Sequence, residues 1–287
     1  MPRIAIFVLV FLFSSSIFAI DKVIYGDDNR KDVYACTDQM HVTLALSTAA
    51  MVPPENLTQD EAGNYAVTAS LFSEMGMCTE ERFTNQPLTA VCSGFLVGKD
   101  LIVTAGHCIE DQSGCDQYLW AFDYKMTDEN SPIVLSKNNV YRCKSIVERQ
   151  LSNEYDYALI RLDREVSDRR PLEVRKTGKV ANKANLVVIG HPSGLPTKIS
   201  DGAYVRKNTS KGYFSANLDT YGGNSGSAVF DSKTGLVEGI LVRGENDFTY
   251  DSDRSCRLSV RCTNEGCRGE DVTRITVIKA LVGETEN

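Results

Sequence analysis

Short apolar runs punctuated by turn residues fill most of this chain and leave little room for long helices. Residues 95–97 (FLV) and 101–103 (LIV) flank Gly98, Lys99 and Asp100, the pattern of a hairpin. Residues 157–162 (YALIRL) and 185–189 (NLVVI) predict two further strands. A second hairpin is expected from 227–230 (SAVF) through 231–235 (DSKTG) to 236–242. Regularly spaced strands of this kind favour β-barrels or a sandwich over alternating βαβ units. Two segments depart from the pattern. Residues 166–182 (VSDRRPLEVRKTGKVAN) are polar and basic and suit a connection between two lobes. Residues 271–282 carry Asp271 at a possible N-cap and precede Gly283, which predicts a C-terminal helix, although their β-branched residues also suit a strand. Residues 41–58 could form a short helix followed by a Pro-Pro turn.

Arg3 followed by an apolar run over residues 4–13, a serine cluster and Ala19 has the make-up of an export signal, so residues 1–19 are expected to be removed. That run is shorter than the roughly 20 residues a membrane-spanning helix needs, so no span is expected after removal, and the location should be secreted or periplasmic. Nine cysteines lie beyond it. In an exported chain they suggest a disulfide framework, with at least one thiol left over because the count is odd. No cysteine pair has the spacing and histidine company of a zinc site. The Asp251-Ser252-Asp253 turn lacks the ligand spacing of an EF-hand. A formal charge of −7 without a basic stripe argues against nucleic-acid binding.

Three short motifs carry the chemistry. His107 stands in Thr104-Ala105-Gly106-His107-Cys108 and is one of only three histidines, so it could be a catalytic base or a structural core residue. Asp156 precedes an apolar strand, where it could orient an imidazole or serve as a surface turn residue. Ser225 lies in GGNSGSAVF (222–230), where glycines would let the chain aim backbone N–H groups at one point, or simply make a turn. Each is ambiguous alone. His191 in a Gly-His-Pro turn and His41 carry no catalytic pattern.

Taken together, TAGHC, Asp156 and GNSG in the order His, Asp, Ser resemble the chymotrypsin-type serine peptidases, and the Gly-Asn-Ser-Gly-Ser form is similar to their bacterial branch, which includes the glutamyl endopeptidases. The resemblance implies an all-β fold of two antiparallel six-stranded barrels, with an N-terminal barrel over about 23–165, a connection at 166–182, a C-terminal barrel at 183–270 and a closing helix at 271–282. It implies a peptidase domain spanning 20–287, with His107 as general base, Asp156 as its orienting partner, Ser225 as nucleophile and the N–H groups of Gly223 and Ser225 as oxyanion hole. It also implies a Cys92–Cys108 bridge beside the histidine; Cys115–Cys143 is a weaker expectation. Residues 23–30 (VIYGDDNR) are similar to the mature start of glutamyl-endopeptidase relatives, with Lys22 as a processing point.

The resemblance points two ways on specificity. Asp219 stands six residues before Ser225, where trypsin-like members place the carboxylate that selects lysine or arginine. Thr220 matches the glutamyl-specific members, which carry a histidine where this chain has Leu241. Residues 239–244 are similar to the strand lining the substrate cleft, placing Arg243 and Gly244 there; Arg243 could bind acidic substrates or neutralise Asp219. Asn224 replaces the aspartate of animal trypsins, so no zymogen switch through that side chain is expected. The expectation is a monomeric secreted serine endopeptidase acting on protein or peptide substrates without metal or organic cofactor. The alternatives are an inactive peptidase-fold binding protein and an esterase.

Overall fold

The computed structural model describes residues 23–283; the expected export signal and Lys22 lie outside them. Twelve strands build two barrels. In the first, β1 (Thr48–Val52), β2 (Cys92–Leu96), β3 (Leu101–Thr104), β4 (Leu119–Phe122), β5 (Val140–Leu151) and β6 (Asp156–Leu162) close in the order β1-β2-β3-β6-β5-β4. In the second, β7 (Asn185–Gly190), β8 (Lys198–Lys207), β9 (Tyr213–Ala216), β10 (Ala228–Asp231), β11 (Val237–Arg243) and β12 (Glu270–Arg274) close in the order β7-β8-β9-β12-β11-β10. Counted from its own first strand, each barrel follows the same path. All ladders within both barrels are antiparallel, and both predicted hairpins form: β2 with β3, and β10 with β11.

Barrel one is filled by Trp120, Phe122, Ile102, Ile160 and Leu96, all sealed from solvent. Barrel two holds Leu186, Val205, Phe214, Leu241 and Val272. A third apolar cluster joins them, with Phe95, Val103 and Leu159 meeting Val187, Phe230 and Ile240. Burial on this scale, at about 25 cal/mol per Å² of apolar surface, fixes the two barrels against each other.

Two boundaries differ from expectation. The predicted C-terminal helix begins instead as β12, and only Lys279–Val282 is α-helical. Pairing wins over the capping pattern: β12 bonds to both β9 and β11 and closes barrel two, and all five of its residues are buried, as suits Val272 and Thr273. Asp271 does not cap a helix; its carboxylate takes the guanidinium groups of Arg243 and Arg268. The other difference lies at the start. Residues 23–32 precede barrel one in sequence but attach to barrel two, where Arg30–Asp32 pairs with β8 and Ile24–Tyr25 runs parallel to Arg261–Cys262. Between Gln39–Ala45, which is helical, and the Pro-Pro turn the chain inserts β1.

Candidate active site

His107 follows β3 on a tight loop. Gly106 is required there, because a Cβ on it would lie 2.3 Å from the Gln150 carbonyl oxygen. The loop is tied down twice. The Cys92–Cys108 disulfide anchors it to β2, and the Arg149 guanidinium donates to the carbonyls of Gly106 (2.9 Å) and Ile109 (2.5 Å). Asp156, the first residue of β6, lies almost fully buried beside it. One carboxylate oxygen accepts the His107 backbone N–H at 3.1 Å, and the other meets Nδ1 at 2.8 Å. A carboxylate can only accept here, so the imidazole carries its proton on Nδ1 and turns the lone pair of Nε2 outward from Asp156. Nε2 has no hydrogen-bond partner among the described residues.

Ser225 sits on the turn entering β10, in the other barrel. Gly226 adopts φ +90°, and a Cβ there would lie 2.0 Å from the Ser93 carbonyl oxygen, so the turn can press against barrel one only with glycine. The Ser93 N–H donates to the Ser225 carbonyl at 2.8 Å, and Cys108 Sγ lies 3.7 Å from that same oxygen. A disulfide sulfur has no proton to give, so the second is a packing contact between the histidine and serine loops. The fold therefore brings the His107, Asp156 and Ser225 segments together across the barrel interface. Asn224 is buried, and its side-chain oxygen accepts from the Ser227 hydroxyl at 3.2 Å.

The expected pocket residues separate. Asp219 is not presented to a substrate: its two carboxylate oxygens accept the backbone N–H groups of Tyr25 (2.7 Å) and Asn29 (2.9 Å), and it is buried. The expectation that it forms an open pocket base is corrected, because it is sealed from solvent and each of its oxygens is hydrogen-bonded to the chain's own backbone at residues 25 and 29. Nor does Arg243 neutralise it. That guanidinium reaches Asp271 (3.3 Å) and crosses to the carbonyls of Ser152 (3.4 Å) and Asn153 (3.0 Å) at the tip of the β5–β6 hairpin. Thr220 is buried, and its hydroxyl donates to a carboxylate oxygen of Glu270 at 3.0 Å. The Gly244 carbonyl accepts from Arg268 at 3.2 Å.

Some site neighbours have no motif to announce them. Ser93, Asp247 and Glu270 all touch the loop before Ser225, with Asp247 accepting the Gly222 N–H at 2.8 Å. Each acts through a contact remote in sequence; the only local hint was Ser93, next to the expected Cys92 bridge. Among the described residues, Cys92, His107 and Cys108 cluster closely enough to suggest metal ligation. Both sulfurs are consumed by the disulfide, so no thiolate is offered.

Two antiparallel six-stranded barrels, with the loop of a carboxylate-bound histidine packed against a serine turn, define a chymotrypsin-like architecture. The chain belongs to the family described as the trypsin-like peptidase domain, whose model matches residues 92–240. It is similar to the glutamyl endopeptidases of Staphylococcus aureus strains MW2 and MSSA476, each 28% identical over 156 residues, or 52% of this chain and 46% and 45% of the respective relative. The match thus spans less than half the length of those relatives. A solved structure described as a Glu endopeptidase in complex with MPD superposes with a TM-score of 0.51 at 16% identity, covering 91% of this chain and 100% of that one, a likeness of fold.

Proposed function

We propose that this protein is a secreted serine endopeptidase working through His107, Asp156 and Ser225. The observation that carries the reading is the 2.8 Å contact between His107 Nδ1 and Asp156, on a loop packed against the serine turn. With the proton held on Nδ1, Nε2 takes the Ser225 hydroxyl proton as its oxygen attacks a peptide carbonyl. Asp156 stabilises the resulting imidazolium, and the N–H groups of Gly223 and Ser225 receive the oxyanion. The imidazolium then protonates the leaving amine. Water, activated by the same nitrogen, hydrolyses the acyl-enzyme and frees Ser225.

For the side chain before the cleaved bond we propose lysine or arginine, with Glu270, sealed from solvent and bonded to Thr220, supplying negative charge through that residue rather than by direct contact. Glu270 brings a carboxylate to Thr220, the residue that the family resemblance puts in the pocket, and a carboxylate there attracts a cation and repels an acidic side chain. A second reading, glutamate at that position, is favoured by the names of the staphylococcal relatives and by Thr220 itself.

The test is labelling with a fluorophosphonate probe together with hydrolysis of a peptide library by parent and Ser225→Ala. Turnover should fall on the order of 10⁴-fold and labelling should vanish; an equally active variant would overturn the mechanism. Cleavage after Lys or Arg that weakens in Glu270→Gln supports the basic pocket, and preferential cleavage after Glu supports the second reading.

A further inference from the structure

We infer that Ser93 is a positioning residue for the oxyanion loop, clamping it from the opposite barrel; this rests on the mechanism proposed above. Ser93 lies on β2 directly after Cys92 and is sealed from solvent. All of its polar groups are engaged. Its hydroxyl donates to the Gly223 carbonyl at 2.8 Å and accepts the His191 N–H at 3.0 Å. Its own N–H donates to the Ser225 carbonyl at 2.8 Å, and its carbonyl accepts the Thr104 hydroxyl at 2.7 Å. One residue of barrel one thereby holds the Gly223–Asn224 and Ser225–Gly226 peptides, which flank on both sides the peptide carrying the Ser225 N–H, and the first of them also adjoins the peptide carrying the Gly223 N–H.

The clamp matters because Gly223 has no side chain to restrain it. It adopts φ +83°, and a glycine peptide can rotate at little cost. Two further bonds hold this loop: the Gly222 carbonyl, in the same peptide as the Gly223 N–H, accepts the Ser193 N–H at 2.5 Å, and the Asn224 N–H donates to the Tyr221 carbonyl at 3.0 Å. The hydroxyl of Ser93 is the bond made to the Gly223 carbonyl itself. Without it, the half-buried Gly223 carbonyl and the buried His191 N–H lose a partner together. Such orphaned groups drive local rearrangement, and a turn of the Gly223–Asn224 peptide displaces the two neighbouring peptides that carry the donors.

Losing an oxyanion donor outright costs about 10²–10³-fold in turnover. A misdirected donor in Ser93→Ala should therefore lower kcat by about 10–100-fold and leave KM within about twofold. Affinity for a peptide aldehyde, which forms a tetrahedral adduct, should fall in parallel, while affinity for a cleaved product peptide should not change. Ser93→Thr, which keeps a hydroxyl, should restore most of kcat. Thr104→Val removes a bond to the Ser93 carbonyl but leaves the Ser93 hydroxyl on Gly223, and should lower the melting temperature with a loss of kcat several-fold smaller than that of Ser93→Ala. Parental kcat in Ser93→Ala, or equal losses of kcat in Ser93→Ala and Thr104→Val, would overturn the proposal. So would hydroxyl-free variants (Ala and Gly) that fail to fold while Ser93→Thr folds, since that marks a structural role. Full activity in Ser225→Ala would instead remove the underlying mechanism.

Discussion

His191 and Asp219 are both shut away from water, and burial pushes their proton affinities in opposite directions. The His191 imidazole lies against Tyr124 with Nδ1 at the Leu195 carbonyl, and desolvation takes its pKa down to about 3 from an ordinary 6.5. Below pH 6.5 the unfolded chain binds a proton that the folded one refuses. Stability from this group therefore falls by about 1.4 kcal/mol per pH unit on acidification, until pH nears 3. Asp219 is pushed up to about 7, chiefly by burial, against the N–H groups that favour its charged form. Its folded pKa is raised, so its contribution is fully present below about pH 3.8 and is lost as pH rises through 7. Between about pH 4 and 6.5 the two slopes oppose each other. Urea midpoints across that window should show it: His191→Asn flattens the acid-side loss of stability, and Asp219→Asn steepens it. Parental slopes in both variants would contradict these assignments. Sequence reasoning found His191 as a turn residue but had no view of its burial, which depends on Tyr124 and the loop at 192–195.

At the scale of elements, the histidine loop that follows β3 is tied back to β2 by one covalent bridge. The Cys92–Cys108 loop spans 16 residues, for which the chain-entropy model gives about 3 kcal/mol. Replacing both cysteines by serine should lower the melting temperature. It should also reduce kcat/KM, because the loop carrying His107 then rests on Arg149 and Asp156. Unchanged activity in a destabilised double variant would show that those polar ties suffice. This bridge was legible because both cysteines sit inside recognisable motifs, and Cys115–Cys143 also forms as expected. Cys78–Cys256 joins segments 178 residues apart, and no local pattern links them; Cys262–Cys267 and the unpaired, buried Cys36 complete the set. The C-terminal strand was misread for a related reason. Its helix signals are local, whereas the two neighbours that make it a strand come from β9 and β11.

For the molecule as a whole, the cleft lies between barrels that touch through apolar packing and a few long side chains. Arg243 is such a tie, rooted on β11 and reaching the Ser152 and Asn153 carbonyls of barrel one. Arg243→Ala should let the β5–β6 hairpin move relative to β11, raising KM for extended peptides more than for single-residue esters. Equal KM changes for long and short substrates would argue against a bridging role. The loops of His107, Asp156 and Ser225 were readable because each is a short motif. The assignment of Asp219 to a pocket failed because its partners, Tyr25 and Asn29, lie about 190 residues earlier in the chain.

The docking of residues 23–32 on barrel two also sets an order in time. A ribosome makes this segment before either barrel, yet its partners come late: Lys198 for Asp32, Asp219 for Tyr25 and Asn29, Arg261–Cys262 for Ile24–Tyr25. Barrel two itself stays open until Glu270–Arg274 has been synthesised. Barrel one can close on a nascent chain long before that, while the leading segment waits unpaired. Such far-separated pairings are slow to form. The pairings of residues 23–32 with 198–200, 219 and 261–262 therefore become available only after every strand of barrel one has been made.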